Sequence, residues 1–264
     1  MTSSLEQQKS YSSYTTPSQV DTEVTKPPIR LSVLPSLWSW LAPEEQRQLW
    51  NEWPISRAVL HPLHWARHWT RTKDEQDTEN PYKHLPNYEY FDALHAAAER
   101  FNVLFVEKSR TMMASWWAVI EDMHYVMTHP PAKCILWAQD QDRSILLREY
   151  AWVLWEQQDA ALKEAFPVLR PKDRQAVDRL EFKDGGLMLA LPGKDPNKIR
   201  SEHPSRLIMD EAAFIENGGE AFDVAISSKV PRVKVISSAA PGWFYNVTKH
   251  GRPTELSLSK QSAL

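Results

Sequence analysis

The sequence predicts an α/β fold: a wound, mainly parallel β-sheet with a small helical N-terminal region. Two observations lead to this prediction. First, apolar stretches without strand-like alternation lie between helical patterns, at 103–107, 134–138, 187–191, 207–210 and 233–237. Such strands are typical of a parallel sheet that helices cover on both faces. Second, residues 31–70 carry dense Trp and Leu at helical spacing, interrupted by prolines, which indicates short helices.

The composition is that of a globular domain and excludes several classes of protein. The chain has 264 residues, of which 42% are hydrophobic, and a formal net charge of -3. No global basic field draws it to nucleic acid, so a DNA contact needs a local patch. The single cysteine, Cys134, allows no disulfide within the chain and fits a reducing, cytoplasmic location. No apolar run reaches the roughly 20 residues of a membrane span, so we expect no membrane contact.

The chain divides into four predicted parts. They are a disordered tail rich in Ser, Thr, Gln and Pro (1–28), a helical N-terminal region with a linker (29–80), the α/β domain (81–250) and a polar tail (251–264). Within the α/β domain we expect helices at about 88–100, 115–128, 141–165 and 218–228. A hairpin is expected to turn at Asp184-Gly185-Gly186 and to lead into the strand at 187–191.

The stretch VLFVEKSRTMMASWW has the outline of a phosphate-binding loop between a strand and a helix. When the pattern G-x-x-x-x-G-K-[ST] is aligned on KSRTMMAS, Ser115 takes the hydroxyl position and Lys108 the first glycine's position. The cation has then moved to the front of the loop, with Arg110 beside it, and a cation can approach a phosphate from either end. Met113 replaces the second glycine and restricts the backbone there. The alternative is a plain strand-turn-helix with a solvated basic turn.

Two later strands end in polar side chains that suit phosphoryl transfer. RLIMDEAAF (206–214) ends a buried strand in Asp210 and Glu211, which can hold the shell of a Mg²⁺ ion and polarise a water molecule. KVISSAAPG (234–242) ends a strand in Ser237 and Ser238, hydroxyls suited to sensing a phosphate. Alone, either segment is equally an ordinary strand end and turn. The order of the three motifs along the chain favours a nucleotide-driven motor.

In EKSRTMMASW, RSEHPSRLIMDEAAF and VISSAAPG the chain resembles the ATPase domain of the large terminase subunit, the DNA-packaging motor of tailed bacteriophages. The resemblance extends over about 60–245. It implies a P-loop NTPase-type fold for 81–250, ATP hydrolysis and Mg²⁺. It implies Glu211 and Arg110 as catalytic residues, Ser115 and Asp210 as metal ligands, and Ser237 and Ser238 as the coupling motif. The nucleotide-binding residues that it implies are Lys108, Ser109, Arg110, Thr111, Met112, Met113, Ala114 and Ser115.

The resemblance also implies partners. These are double-stranded DNA, the phage portal, the small terminase subunit and further copies of the chain in a ring. The location would be the cytoplasm of the bacterial host, transiently at the procapsid portal. The sequence offers DNA a locally basic C-terminal end, with Lys229, Arg232, Lys234, Lys249 and Arg252.

Two departures from the family pattern leave alternatives open. No counterpart of the adenine-contact glutamine lies between residues 80 and 100. After Gly242 too few residues follow for a nuclease domain of roughly 100 residues or more, so we expect an ATPase half without nuclease activity. One alternative is a non-hydrolysing remnant of a truncated prophage gene. The other is a helicase-like ATPase, because DEAA and SSAAP also resemble helicase motifs.

Overall fold

The computed structural model describes residues 29–250 and has the predicted α/β architecture, with a six-stranded, mainly parallel sheet. The predicted disordered tail (1–28) and polar tail (251–264) lie outside the described residues. The strands in chain order are β1 (Thr72–Lys73), β2 (Tyr82–Lys83), β3 (Val103–Lys108), β4 (Lys133–Ala138), β5 (Arg179–Glu181), β6 (Leu187–Pro192), β7 (Arg206–Asp210) and β8 (Arg232–Ser238).

The helices confirm most of the predicted pattern. In chain order they are α1 (Leu34–Leu37), α2 (Pro43–Glu52), α3 (Pro54–Leu60), α4 (Pro62–His68), α5 (Glu89–Arg100), α6 (Ala114–Thr128), α7 (Gln141–Glu156), α8 (Ala160–Ala165), α9 (Asn197–Glu202), α10 (Gly218–Ser227) and α11 (Trp243–His250). The prediction of one helix over 141–165 was wrong. The chain turns after Glu156, and the Asp159 carboxylate caps α8 by accepting from the Ala161 N–H at 2.8 Å.

The order of strands in the large sheet is β3-β8-β7-β4-β6-β5, and only β5 runs antiparallel to its neighbour. The chain passes from β3 through α6 to β4, and β7 and β8 later fill the space between β3 and β4. In the register, Lys108 lies beside Ser238, and Asp210 lies beside Ile236. The carboxyl ends of β3, β8 and β7 are therefore neighbours.

Each face of the sheet is buried under its own layer of helices. Because successive strand residues point to opposite faces, Leu136, Ile208 and Ile236 pack towards α6 and α7, in one core cluster with Trp117 and Trp152. Their neighbours Ile135, Leu207 and Val235 form a second cluster with Phe222 of α10 and Phe244 of α11. Burial on both faces explains why these strands read as unbroken apolar runs.

The helices α1 to α4 form the predicted helical N-terminal region and share the α6 face of the core. Leu63 and Trp65 are fully buried and belong to the same cluster as Trp117. Burial lowers the pKa of His124 on α6 to about 3, so the neutral ring donates from Nε2 to the Ala58 carbonyl oxygen at 2.8 Å. The division at residue 80 stays a prediction. No helix within 29–250 is long and apolar enough to cross a membrane.

A buried ion cluster joins α6 to the centre of the sheet. Asp122, on α6, is fully buried and pairs with Lys234 of β8, and its Oδ1 lies 3.5 Å from Nη1 of Arg206 on β7. The Arg206 guanidinium also lies over the Tyr125 ring, 3.8 Å from its centre. The sequence offered Lys234 as part of a DNA-facing basic end; the structure contradicts this, because the side chain is buried against Asp122.

Replacing Asp122 by Ala is expected to lower the free energy of unfolding by about 3 kcal/mol, because it leaves the buried Lys234 and the partly buried Arg206 without their counter-charge. Urea unfolding followed by circular dichroism would measure this. The matched control is Asp142→Ala at the exposed start of α7, expected to cost less than about 1 kcal/mol. Equal losses in the two variants would contradict a special role for the buried carboxylate.

Candidate functional site

The candidate phosphate loop, residues 108–115, joins β3 to α6 at the carboxyl edge of the sheet. Two of its residues adopt the left-handed backbone region that glycine usually occupies: Thr111 has a φ of 67° and Met113 a φ of 51°. For a side chain with a Cβ this region costs about 1–2 kcal/mol. The loop thus keeps a glycine-like conformation at Met113, although the glycine of the general pattern is missing.

Aromatic side chains support this strained loop from outside the motif. The Tyr90 hydroxyl of α5 donates to the Met112 carbonyl oxygen at 3.1 Å. Trp116, just after the loop, stacks on Tyr150 of α7 with ring centres 3.9 Å apart. Sequence reasoning missed Tyr90 and Tyr150, because neither lies in a motif. The only signal in the sequence was the aromatic density of NYEYFD.

Ser115 and Asp210 meet as the sequence predicts. The Ser115 hydroxyl donates to Oδ1 of Asp210 at 2.8 Å. Burial is the main cause that raises the pKa of Asp210 to about 6, and the neighbouring Glu211 charge adds to it, whereas the Ser115 hydrogen bond opposes it. The charge of Lys108 also opposes the rise, and the Asp210 carboxylate and the Ser115 hydroxyl present their oxygens side by side. These hard oxygen donors suit Mg²⁺.

Glu211 is held by three residues on two neighbouring strands, β3 and β8. Its Oε1 accepts from Lys108 Nζ at 2.6 Å, with the two side chains 25% and 10% exposed. Its Oε2 accepts from the Ser238 N–H at 3.2 Å and from the Ser237 hydroxyl at 3.4 Å. Burial alone would raise the pKa of Glu211, but the hydrogen bond and charge of Lys108 and the Ser238 N–H bring it below its usual value. The first and third motifs therefore both contact the second.

The turn after β7 is tied to the end of β8 and to α11. The Ala213 N–H donates to the Ser237 hydroxyl at 3.1 Å, and the Trp243 indole N–H donates to the Ala212 carbonyl oxygen at 3.0 Å. A Cβ at Gly218 would lie 2.6 Å from the Trp243 ring nitrogen, so only glycine fits there. Glu211 itself has a φ of 48°. This network joins the predicted carboxylate to the predicted coupling hydroxyls.

The other predicted loop residues are placed nearby but are not drawn into this network. Ser109, Arg110 and Thr111 are exposed, and the Thr111 hydroxyl donates to the Arg110 carbonyl oxygen at 2.6 Å. Arg110 forms no ion pair with any side chain in the described part of the chain. Within 29–250 no three His, Cys, Asp or Glu side chains are grouped to hold a metal by themselves.

Comparison with known proteins gives fold likenesses only. No family model matches the chain, and no curated protein matches it. Two solved structures of the large terminase ATPase domain of Thermus phage P74-26 are similar. One, an arginine-to-alanine mutant, has 19% identity and a TM-score of 0.47 over 62% of this chain and 69% of that one. The other has 19% identity and a TM-score of 0.44 over 61% and 73%. Likeness at this identity does not bear on the chemistry of the site.

Because the backbone at Met113 is strained, we expect Gly to be more stable than Ala at this position, the reverse of the order inside a helix. Met113→Gly and Met113→Ala lose the same apolar packing, but only Ala keeps a Cβ in the left-handed region. We expect the Gly variant to be the more stable by about 1 kcal/mol in urea unfolding. At the exposed Ala96 inside α5, Ala96→Gly is expected to lose about 1 kcal/mol. If Ala were more stable than Gly at both positions, residue 113 would be unstrained.

Proposed function

We propose that this chain is an ATPase domain of the large terminase type, which hydrolyses ATP with Mg²⁺ to drive the packaging of double-stranded DNA. One observation carries the proposal: three motifs far apart in the sequence meet at neighbouring strand ends. Lys108, Glu211 and Ser237 form one hydrogen-bonded group, and Ser115 and Asp210 form a second group beside it. Cation, hydroxyl and paired carboxylates are the parts that phosphoryl transfer uses.

In this proposal the candidate phosphate loop binds the phosphates of ATP. The N–H groups at the start of α6 face the loop, and the positive end of the helix dipole favours an anion there. Lys108 approaches from the β3 side, and the exposed Arg110 guanidinium is free to contact the terminal phosphate. Ser115 and Asp210 would hold Mg²⁺, which neutralises charge on the phosphates when it is bound. Substrate oxygens and water would complete its ligands.

Glu211 would orient the water that attacks the terminal phosphate. In the structure Lys108 engages this carboxylate, so a phosphate that binds Lys108 competes with Glu211 for it. Binding of ATP would therefore free Glu211 for its catalytic role. Ser237 and Ser238 hold the other carboxylate oxygen, and Ser237 and Trp243 hold the turn that follows Glu211. These bonds offer a route from the site to α11.

The proposed packaging function also requires partner proteins and DNA. As a packaging motor the chain would act with the phage portal and the small terminase subunit, as a homo-oligomeric ring around double-stranded DNA. It would be located in the cytoplasm of the bacterial host and transiently at the procapsid portal. Two of the basic residues predicted to face DNA have partners within the chain. Arg232 donates to the Glu99 carbonyl oxygen, and Lys249 pairs with Glu107 at 3.1 Å.

A second function is a nucleotide-binding module that does not hydrolyse ATP. The replacement of the loop glycine by Met113 and the Lys108–Glu211 pair favour it, since the pair engages the proposed catalytic carboxylate. The two functions differ in turnover and agree in binding, so one set of measurements separates them.

Mg²⁺-dependent ATP turnover, with and without double-stranded DNA, tests the proposal. Glu211→Gln is expected to lower the turnover number at least about 100-fold, because the oriented water is lost. The matched control is Glu216→Gln, an exposed neighbour beyond the β7 turn, which should leave turnover unchanged. ATP binding without turnover by the unmodified chain would favour the second function, and the absence of both would contradict the nucleotide site.

The Lys108–Glu211 pair gives a prediction for binding. Glu211→Gln removes the charge that competes for Lys108, so we expect ATP to bind about threefold to tenfold more tightly as turnover is lost. Lys108→Ala is expected to weaken binding instead. Titration with a fluorescent ATP analogue at fixed Mg²⁺ would measure both. Unchanged affinity in Glu211→Gln would show that the pair does not compete with phosphate.

A further inference from the structure

A groove with an apolar floor and a basic rim lies beside β5, at the opposite edge of the sheet from β3. We call it the α7–α8 groove, and its volume is about 640 Å³. Its floor includes Trp155, Pro167 and Val168, and its rim includes Lys163, Arg170 and Lys183. Its lining includes none of the candidate site residues, so it is separate from the candidate nucleotide site.

The floor is a rigid apolar surface. The Trp155 indole N–H donates to the Phe166 carbonyl oxygen at 3.1 Å, and the ring packs edge-on against the buried Trp152 with ring centres 5.9 Å apart. These contacts fix the indole before any ligand arrives. An aromatic surface that is ordered in advance loses little entropy when an apolar side chain packs on it.

The rim carries cations that the described part of the chain leaves without ion-pair partners. Lys172 pairs with Glu149 at 2.5 Å, but Lys163, Arg170 and Lys183 form no ion pair within residues 29–250. Lys163 lies above Trp155, with Nζ 5.9 Å from the ring centre. Four cations and two carboxylates line the groove, in a chain whose formal net charge is -3. The groove is therefore a local basic region that suits an anionic ligand.

We propose that the α7–α8 groove binds an acidic peptide segment of a partner protein. A large apolar side chain of that segment would pack on Trp155, and flanking carboxylates would pair with Lys163, Arg170 and Lys183. The volume lies within the range of roughly 300–1,000 Å³ that is typical of ligand pockets, so the groove has room for a large apolar side chain. Duplex DNA presents its phosphates on a broad convex surface and offers no apolar group for the floor. The charge of the rim and the apolar floor together favour the peptide.

A short fluorescein-labelled peptide in which Leu and Phe are flanked by glutamates is the probe. Its anisotropy is measured with the full chain. The test variant combines Lys163→Glu, Arg170→Glu and Lys183→Glu. It reverses the charge of the rim and leaves the apolar floor unchanged. The control reverses three lysines that are exposed outside the groove, Lys73, Lys194 and Lys198. Circular dichroism and the thermal midpoint show that both variants are folded.

We expect the peptide to bind the unmodified chain and the control, and to lose at least about tenfold in affinity with the test variant. Binding should also weaken as salt is added. A peptide with Ser in place of Leu and Phe should bind at least about tenfold more weakly, because it leaves the floor uncovered. Failure of the peptide to bind the unmodified chain, or equal affinities in the two variants, would overturn the proposal. Binding of oligothymidylate that the test variant loses, without peptide binding, would replace it with a single-stranded nucleic-acid site.

Discussion

The pairing of β8 between β3 and β7 is the constraint on which the candidate site depends. Parallel strands end at the same edge of a sheet, so the register brings Lys108, the Ser237–Ser238 pair and the end of β7 together. Glu211 follows β7 directly, and hydrogen bonds from its turn to Ser237 and Trp243 keep its carboxylate within reach of Lys108 and Ser238. Both faces of these strands are buried, and a slip of one residue would move every apolar side chain to the wrong face. The core thus fixes the geometry of the site.

The site itself combines a strained backbone with charges that satisfy one another. Thr111, Met113 and Glu211 all have positive φ angles, and each lies at the point where a strand gives way to the site. Such strain persists only where the surrounding structure determines the conformation. Here Tyr90, Lys108 and the end of β8 supply that determination through hydrogen bonds to the two turns. A ligand that replaces Glu211 as the partner of Lys108 therefore acts on turns whose backbone is already strained.

The fold class could be predicted from the sequence, and so could the position of the candidate site residues at strand ends, because both depend on local patterns; the roles of these residues stay predictions. Each apolar run became a strand with bounds within a residue of those expected, and the carboxylates and hydroxyls lie at strand ends as their positions required. The features that the sequence did not predict depend on contacts between residues far apart in the chain. The insertion of β8 between β3 and β7 follows no local signal. Asp122 lies in a mainly apolar helix and Lys234 was predicted to be a surface cation, but the two side chains are buried together as an ion pair. Tyr90 became part of the site only through the folding of α5 against the loop.

The helix α6 carries Ser115 at its start and Asp122 about two turns later. The buried pair with Lys234 therefore sets the rotation and height at which the hydroxyl is presented to Asp210. Under the proposed function, genetic screens that score only loss of activity are expected to place Asp122 beside Ser115 in the same class of essential positions. The two would be separated by their suppressors: changes at Lys234 or Arg206 can compensate for a substitution of Asp122, whereas none of these positions can restore a missing hydroxyl at residue 115.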